Sequence, residues 1–420
     1  MELVLVYIFA FFNLLSLFWY VRHYGISLSP GFIILSFYVL VACLAVPAYG
    51  ELPKNDVFAE YNFKNITLFP YIVYFLVSWQ LIKPTFGFQR LVDKAVINYS
   101  PWKVRVFSYL YILSAIVTSY LMYRTITVNS MLENMAQVRM NLNAGEEMNP
   151  YNSVFEHLFV TFTMSFQYPA IVIFFILLTS PRAKKNKIFM IIYAFCIFLP
   201  TFFDAVRTAS RGMVVSQAII LLICYGLFKD KMPKIVKRLF YIIWVVLLII
   251  FVAYSLLVTA ARFGDSNSDT ISSLICYWGQ PTLIFNSQVM DVDQFASGKI
   301  FFRPLYEMIG IDNSALFNKI RKGFGTCFIT AIGTFYLDYG IVGIIILAII
   351  IPACLKKILY NRASIDIANL YLIIFYCQFL QKGALTMKWG YFLDLLNFLF
   401  FYFVVKLFSV RIKKNNFKIS

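Results

Sequence analysis

Between Asp204 and Gly212 the chain reads Asp-Ala-Val-Arg-Thr-Ala-Ser-Arg-Gly, which sets two arginines and an aspartate at the junction of two long apolar runs. Arg207 and Arg211 are four residues apart, one helical turn, so both guanidinium groups can address the same anion. A planar guanidinium pairs bidentately with phosphate or carboxylate, which makes recognition of a phosphate-like group the chemistry at stake. The competing reading is structural, because basic residues commonly anchor the ends of membrane helices.

A second group of candidates lies between Arg262 and Gly325, where carboxylates, amides and aromatics are interleaved: Arg262, then Tyr277-Trp278-Gly279-Gln280-Pro281, then Arg303, Glu307 and Asp312. Aromatic faces with planar polar groups suit a sugar ring. An interfacial aromatic belt, or a peripheral amphipathic helix from Ile271 to Val289, would account for much of the same pattern. The third candidate is Asp338, in Gly333-Thr-Phe-Tyr-Leu-Asp-Tyr-Gly-Ile-Val-Gly343. A carboxylate in an apolar run is costly and implies an ion-paired or functional role, with Arg207, Arg211 or Arg303 as partner.

The elements that must position these residues are membrane helices. Of the 420 residues, 61% are hydrophobic, 19% aromatic and only 14% charged, the composition of a polytopic membrane protein. Taking about 20 apolar residues per crossing, apolar runs at 2–21, 31–49, 67–82, 104–123, 155–179, 188–206, 213–228, 239–261, 328–352, 367–385 and 390–408 predict an all-α bundle of about eleven transmembrane helices, within a range of 10–12. The run at 67–82 is short, and the run at 367–385 contains Gln378, Gln381 and Lys382, so these two are the least secure. Three regions follow: helices with short loops over 1–261, one long extracytoplasmic loop over 262–326, and helices with a basic tail over 327–420. The first helix is expected to stay, since Glu2 stands where a signal peptide would carry basic residues.

The formal charge of +17 reads as topology and not as nucleic-acid binding, because the basic residues cluster in short segments between apolar runs, where anionic membrane lipid is their partner. Arg22, Lys83 to Arg105, Arg182 to Lys187, Lys229 to Arg238, Lys356 to Arg362 and Arg411 to Lys418 fall on one side of the alternation, which the positive-inside rule makes cytoplasmic. Arg207 and Arg211 then lie on the outer side, against the usual bias, which favours retention for a ligand. The cysteines in apolar runs read as small hydrophobes. With only His23 and His157, and no Cys-x-x-Cys, a zinc site is not expected.

The Arg-Thr-Ala-Ser-Arg-Gly turn at 207–212, the Tyr-Trp-Gly-Gln-Pro segment at 277–281 and the Asp338 segment at 333–343, in this order and with this span count, resemble the O-antigen polymerases, the oligosaccharide repeat-unit polymerases of the Wzy type. The paired Arg-x(10)-Gly pattern of some members is absent. The resemblance leaves a GT-C-like arrangement open. It implies block transfer of undecaprenyl-diphosphate-linked oligosaccharide at the outer face of the bacterial inner membrane, without cofactor or metal, and with a separate chain-length regulator as partner. Arg207 and Arg211 would clamp the leaving diphosphate, with Arg303 and Arg262 as second choices and Tyr277, Trp278 and Gln280 on the sugar. The base would be Asp338, Glu307, Asp312 or Asp204. An O-antigen ligase shares the donor, but no histidine lies between Arg262 and Gly325. A lipid-linked oligosaccharide flippase would show repeat symmetry, which is not found.

Overall fold

A computed structural model describes residues 1–51, 63, 65–94, 97, 99–126, 153–180, 186–208, 211–263, 270–292, 294–311, 329–360, 365–385 and 391–408. All regular structure among them is helical: α1 (Glu2–Tyr24), α2 (Pro30–Glu51), α3 (Leu68–Ile82), α4 (Phe88–Lys94), α5 (Pro101–Arg124), α6 (Val154–Thr179), α7 (Lys187–Arg207), α8 (Arg211–Phe228), α9 (Lys234–Phe263), α10 (Thr270–Ile284), α11 (Arg303–Met308), α12 (Ala331–Tyr360), α13 (Ile367–Gly383) and α14 (Tyr391–Lys406). Every apolar run picked out in the sequence is one of these helices, because in lipid a helix satisfies its own backbone hydrogen bonds. Seven of them, α1, α2, α5, α6, α7, α8 and α12, are long and apolar enough to cross a membrane. The chain is a multi-pass helical membrane protein.

Contacts between chain segments sort the helix ends into two groups. At one end Arg90 donates to the carbonyl of His23 (3.4 Å), Lys231 to that of Val92 (2.6 Å) and Lys103 to that of Leu407 (2.8 Å). The basic residues that the sequence placed on one side meet here. At the opposite end Glu2 accepts from Tyr49 Oη (2.7 Å) and from the amide of Asn65 (2.9 Å), and Glu51 accepts from Ser272 Oγ (3.2 Å). Arg124 pairs with Glu156 at 2.6 Å at this same end.

The stretch over 262–326 is not a loop throughout, and its hydrophilic appearance misleads. α9 runs on to Phe263, and α10 continues into a π-helical turn, Phe285–Val289. α10 packs along α2 in the most extensive helix pairing of the fold. Gly279 makes the close approach feasible: a Cβ there would lie 2.3 Å from the Leu44 carbonyl oxygen and 2.5 Å from Ala48 Cβ. Cys276, Gln280, Leu283 and Phe285 are wholly buried. Trp278 packs edge-on against Phe37, with ring centroids 5.7 Å apart. The helix anticipated over 271–289 therefore exists but is internal, where a peripheral one was the sequence alternative.

The run at 367–385, insecure on account of its polar residues, becomes α13, a central helix enclosed by α2, α6, α8, α12 and α14 and buried over most of its length. Gln378, Gln381 and Lys382 are tolerated because they face protein instead of lipid.

Candidate functional site

α7 carries Asp204 and Arg207 on its last turn, and a proline shapes the helix beneath them. Pro200 lacks the N–H that would bond to the carbonyl of Cys196, which accepts instead from Tyr111 Oη at 3.2 Å. The next carbonyl, Ile197, accepts from Gln217 Nε2 at 2.7 Å, and Gln167 Nε2 reaches Thr201 Oγ1 at 2.8 Å. Neighbouring helices thus satisfy the freed Cys196 carbonyl and hold the helix around Pro200 from α5, α6 and α8. The turn closes on Thr208, whose amide (3.0 Å) and hydroxyl (2.6 Å) both donate to the Asp204 carbonyl. A cation at a helix C-terminus is favoured by the backbone dipole, which suits Arg207 to its position.

From this turn Arg207 donates to Asp204 Oδ1 at 2.8 Å, with side chains only 17% and 14% exposed. Both line a cavity of about 300 Å³ that runs down from the end of the bundle opposite the basic one, between the last turns of α5 and α7, the first turn of α8, α6 from His157 to Tyr168, α13 from Tyr371 to Lys382 and the first turns of α14. Lys382 of α13 and Asp394 of α14 complete its charged lining. Around them, Gln378 Nε2 donates to Tyr168 Oη, and Asn397 Nδ2 donates to Ser165 Oγ at 3.3 Å. Phe375 and Phe398 stack at 4.3 Å to form an aromatic wall.

No known protein family, curated protein or solved structure matches this chain. The site therefore has to be judged on its geometry. Two cations and two carboxylates in one pocket can hold an anionic group and accept a proton beside it.

Of the residues singled out in the sequence, the structure brings Asp204 and Arg207 into this cavity. Arg211 is the first residue of α8. Arg262 lies near the end of α9, while Arg303 opens the short helix α11, which also carries Glu307. Asp312 falls outside the described residues. Among the described lining residues, Tyr277, Trp278, Gln280, Arg303 and Asp338 do not appear; Trp278 packs on Phe37 of α2, and Gln280 is wholly buried. No cluster of metal-ligating side chains occurs among the described residues.

Asp338 has another task. Its Oδ1 accepts from the amide of Ile300 at 3.0 Å and its Oδ2 from that of Phe301 at 2.8 Å, while its own carbonyl accepts from Ser297 N at 2.9 Å. Backbone amides, where arginines were expected, engage both of its oxygens. The carboxylate pins the segment 296–301 to α12 at the point where Gly340 (φ 66°, ψ −162°) breaks that helix and Phe295 fills the break. The pinned segment reaches the cavity wall indirectly: the Phe302 ring packs on Phe392 at 5.4 Å, two residues before Asp394.

Lys382 and Asp394 are the functional candidates that sequence reading passed over. The rule that drew attention to Asp338, an ionisable group within an apolar run, applies equally to both. Lys382 was weighed only as a reason to doubt a span.

Proposed function

We propose that this chain is a membrane glycosyltransferase that polymerises undecaprenyl-diphosphate-linked oligosaccharide repeat units by block transfer at the outer face of the bacterial cytoplasmic membrane. About eleven of its helices cross the bilayer, and its basic end is cytoplasmic by the positive-inside rule. The observation that carries the reading is the cavity at the opposite end, where Arg207 and Lys382 stand with Asp204 and Asp394. A departing diphosphate needs fixed cations on the oxygen where charge develops. An attacking hydroxyl needs a proton acceptor within reach.

The lipid tail has a path along the bundle surface. The other faces of α6 and α14, together with α5, line an apolar groove of about 710 Å³ walled by Phe107, Phe159, Phe162, Phe166, Phe400 and Phe401. Such a groove suits a hydrocarbon chain whose head group lies toward the outer end.

One observation favours a second reading: a lysine that shares a cavity with two carboxylates inside a helix bundle is also what ion-coupled transport requires, so a lipid-linked oligosaccharide flippase is the alternative. An O-antigen ligase shares the donor and is the enzymatic rival. The test is the glycan profile, on a gel, of cells deleted for this gene and complemented with the native sequence or with Arg207→Ala. Collapse of the ladder to a single surface repeat unit, restored only by the native sequence, supports the polymerase. Complete loss of surface repeat units supports a flippase or ligase, and an unchanged ladder refutes all three.

A further inference from the structure

We infer that the lipid-linked substrate binds astride α6 and α14, its head group in the cavity and its chain in the phenylalanine-lined groove, having entered sideways through the seam between the two helices. The inference rests on the polymerase reading above.

The sequence of α6 sets up its two faces. Thr161 and Ser165, four residues apart, line the cavity. Phe162 and Phe166, one position on and so about 100° round the helix, line the groove. α14 is divided in the same way: Asp394 and Asn397 line the cavity, and Phe400 and Phe401 line the groove. The two hollows therefore lie on different faces of one helix pair. A diphosphate with its sugars belongs in the first, whereas a polyprenyl chain drawn out of the bilayer would expose apolar surface to water along its length. Head and chain are one molecule, so the wall between the hollows has to be crossed.

The contacts along the seam are of a kind that can part. On the cavity side Asn397 Nδ2 donates to Ser165 Oγ at 3.3 Å, a long bond between neutral groups. On the groove side the Phe401 ring packs on Phe162 with centroids 5.0 Å apart and stacks on Phe166 at 5.2 Å. Such contacts are dispersion, which an intruding isoprenoid chain supplies in kind. α6 is fastened to α7 by directed bonds, from Gln167 to Thr201 Oγ1 (2.8 Å) and from Tyr193 to the Ala170 carbonyl (3.0 Å). α14 is the helix that yields: its Leu393, Leu396, Leu399 and Phe403 are 39–61% exposed. Phe398, stacked on Phe375 at 4.3 Å, keeps it on α13 while the seam opens.

The experiment uses the full-length protein in phospholipid nanodiscs, with lipid-linked single repeat units extracted from cells lacking the gene. A benzophenone amino acid replaces Phe400 in one variant and Tyr7, exposed on α1, in another. On irradiation the Phe400 site should capture the lipid-linked unit, identified by mass, and the Tyr7 site none above background. Absence of that adduct at Phe400, or equal capture at both sites, overturns the proposal. Spin labels on Leu158→Cys of α6 and Leu396→Cys of α14, both exposed positions, read the spacing across the seam in a background with Cys43, Cys327 and Cys354 replaced by serine. The lipid-linked unit should widen it by about 3.5 Å or more, one carbon–carbon contact distance, and inorganic diphosphate should not. A spacing that the lipid-linked unit leaves unchanged, or that diphosphate widens equally, also overturns the proposal. Should the Phe400 variant fail to fold, the spacing decides alone. Neither readout needs turnover, so native protein that binds the unit in this way but leaves it unjoined overturns the polymerase reading and not the binding mode.

Discussion

Arg207 donates to Asp204 at 2.8 Å across one turn of α7, so the arginine best placed to meet a phosphate already holds a carboxylate. The resident acid fixes the guanidinium in the cavity before any ligand arrives, which lowers the ordering cost of binding. It also stands where an incoming anion must share the cation.

Arg207→Lys should therefore cut polymer formation by about tenfold or more, because an ammonium keeps the charge but lacks the two-pronged donor geometry. Asp204→Asn should cost less, since the amide oxygen can still orient Arg207. The measurement is ladder formation normalised to protein level in the membrane. Equal activity of Arg207→Lys and native protein would remove Arg207 from the site.

Asp338 should behave as a structural residue. Asp338→Asn replaces a carboxylate bound to two amides with a group that has one strong acceptor, and hydrogen bonds to a charged group contribute about 1.5–3 kcal/mol. The expected result is a lower midpoint of thermal inactivation in detergent, with turnover per folded molecule retained. Loss of turnover at an unchanged midpoint would return Asp338 to the catalytic candidates.

The orientation of the bundle can be checked by labelling. Ser297 lies on the segment pinned by Asp338, at the end of α12 facing away from the basic end, and Asn186 precedes α7 at the basic end; both are exposed. In a background with Cys327 and Cys354 replaced by serine, Ser297→Cys should react with an impermeant maleimide added to whole cells, and Asn186→Cys only after permeabilisation. The reverse pattern would place the cavity in the cytoplasm and end the polymerase proposal.

Each apolar run in the sequence became a helix, because the cost of an unsatisfied backbone in lipid leaves a run of that length few alternatives. The alternation of basic segments likewise anticipated which helix ends would meet. Arg207 and Asp204 could be singled out because ionisable residues beside an apolar run are scarce enough to stand out. The segment 270–289 was misplaced for the opposite reason: its serines, amides and glycine look hydrophilic one by one, and only the fit of Gly279 against Leu44 and Ala48 shows that they face another helix.

What the sequence by itself determined is the helical membrane class, the order of the helices and the separation of charge between two ends, all consequences of hydropathy acting locally along the chain. What only the tertiary structure decided is which charges share a space. Asp394 and Lys382 lie far along the chain from Arg207, and Asp338 lies closer in sequence to Lys382 than Asp204 does, yet Asp204 shares the cavity and Asp338 does not. Distances of that kind are set by how α6, α7, α13 and α14 pack around one another, and local patterning carries no record of it.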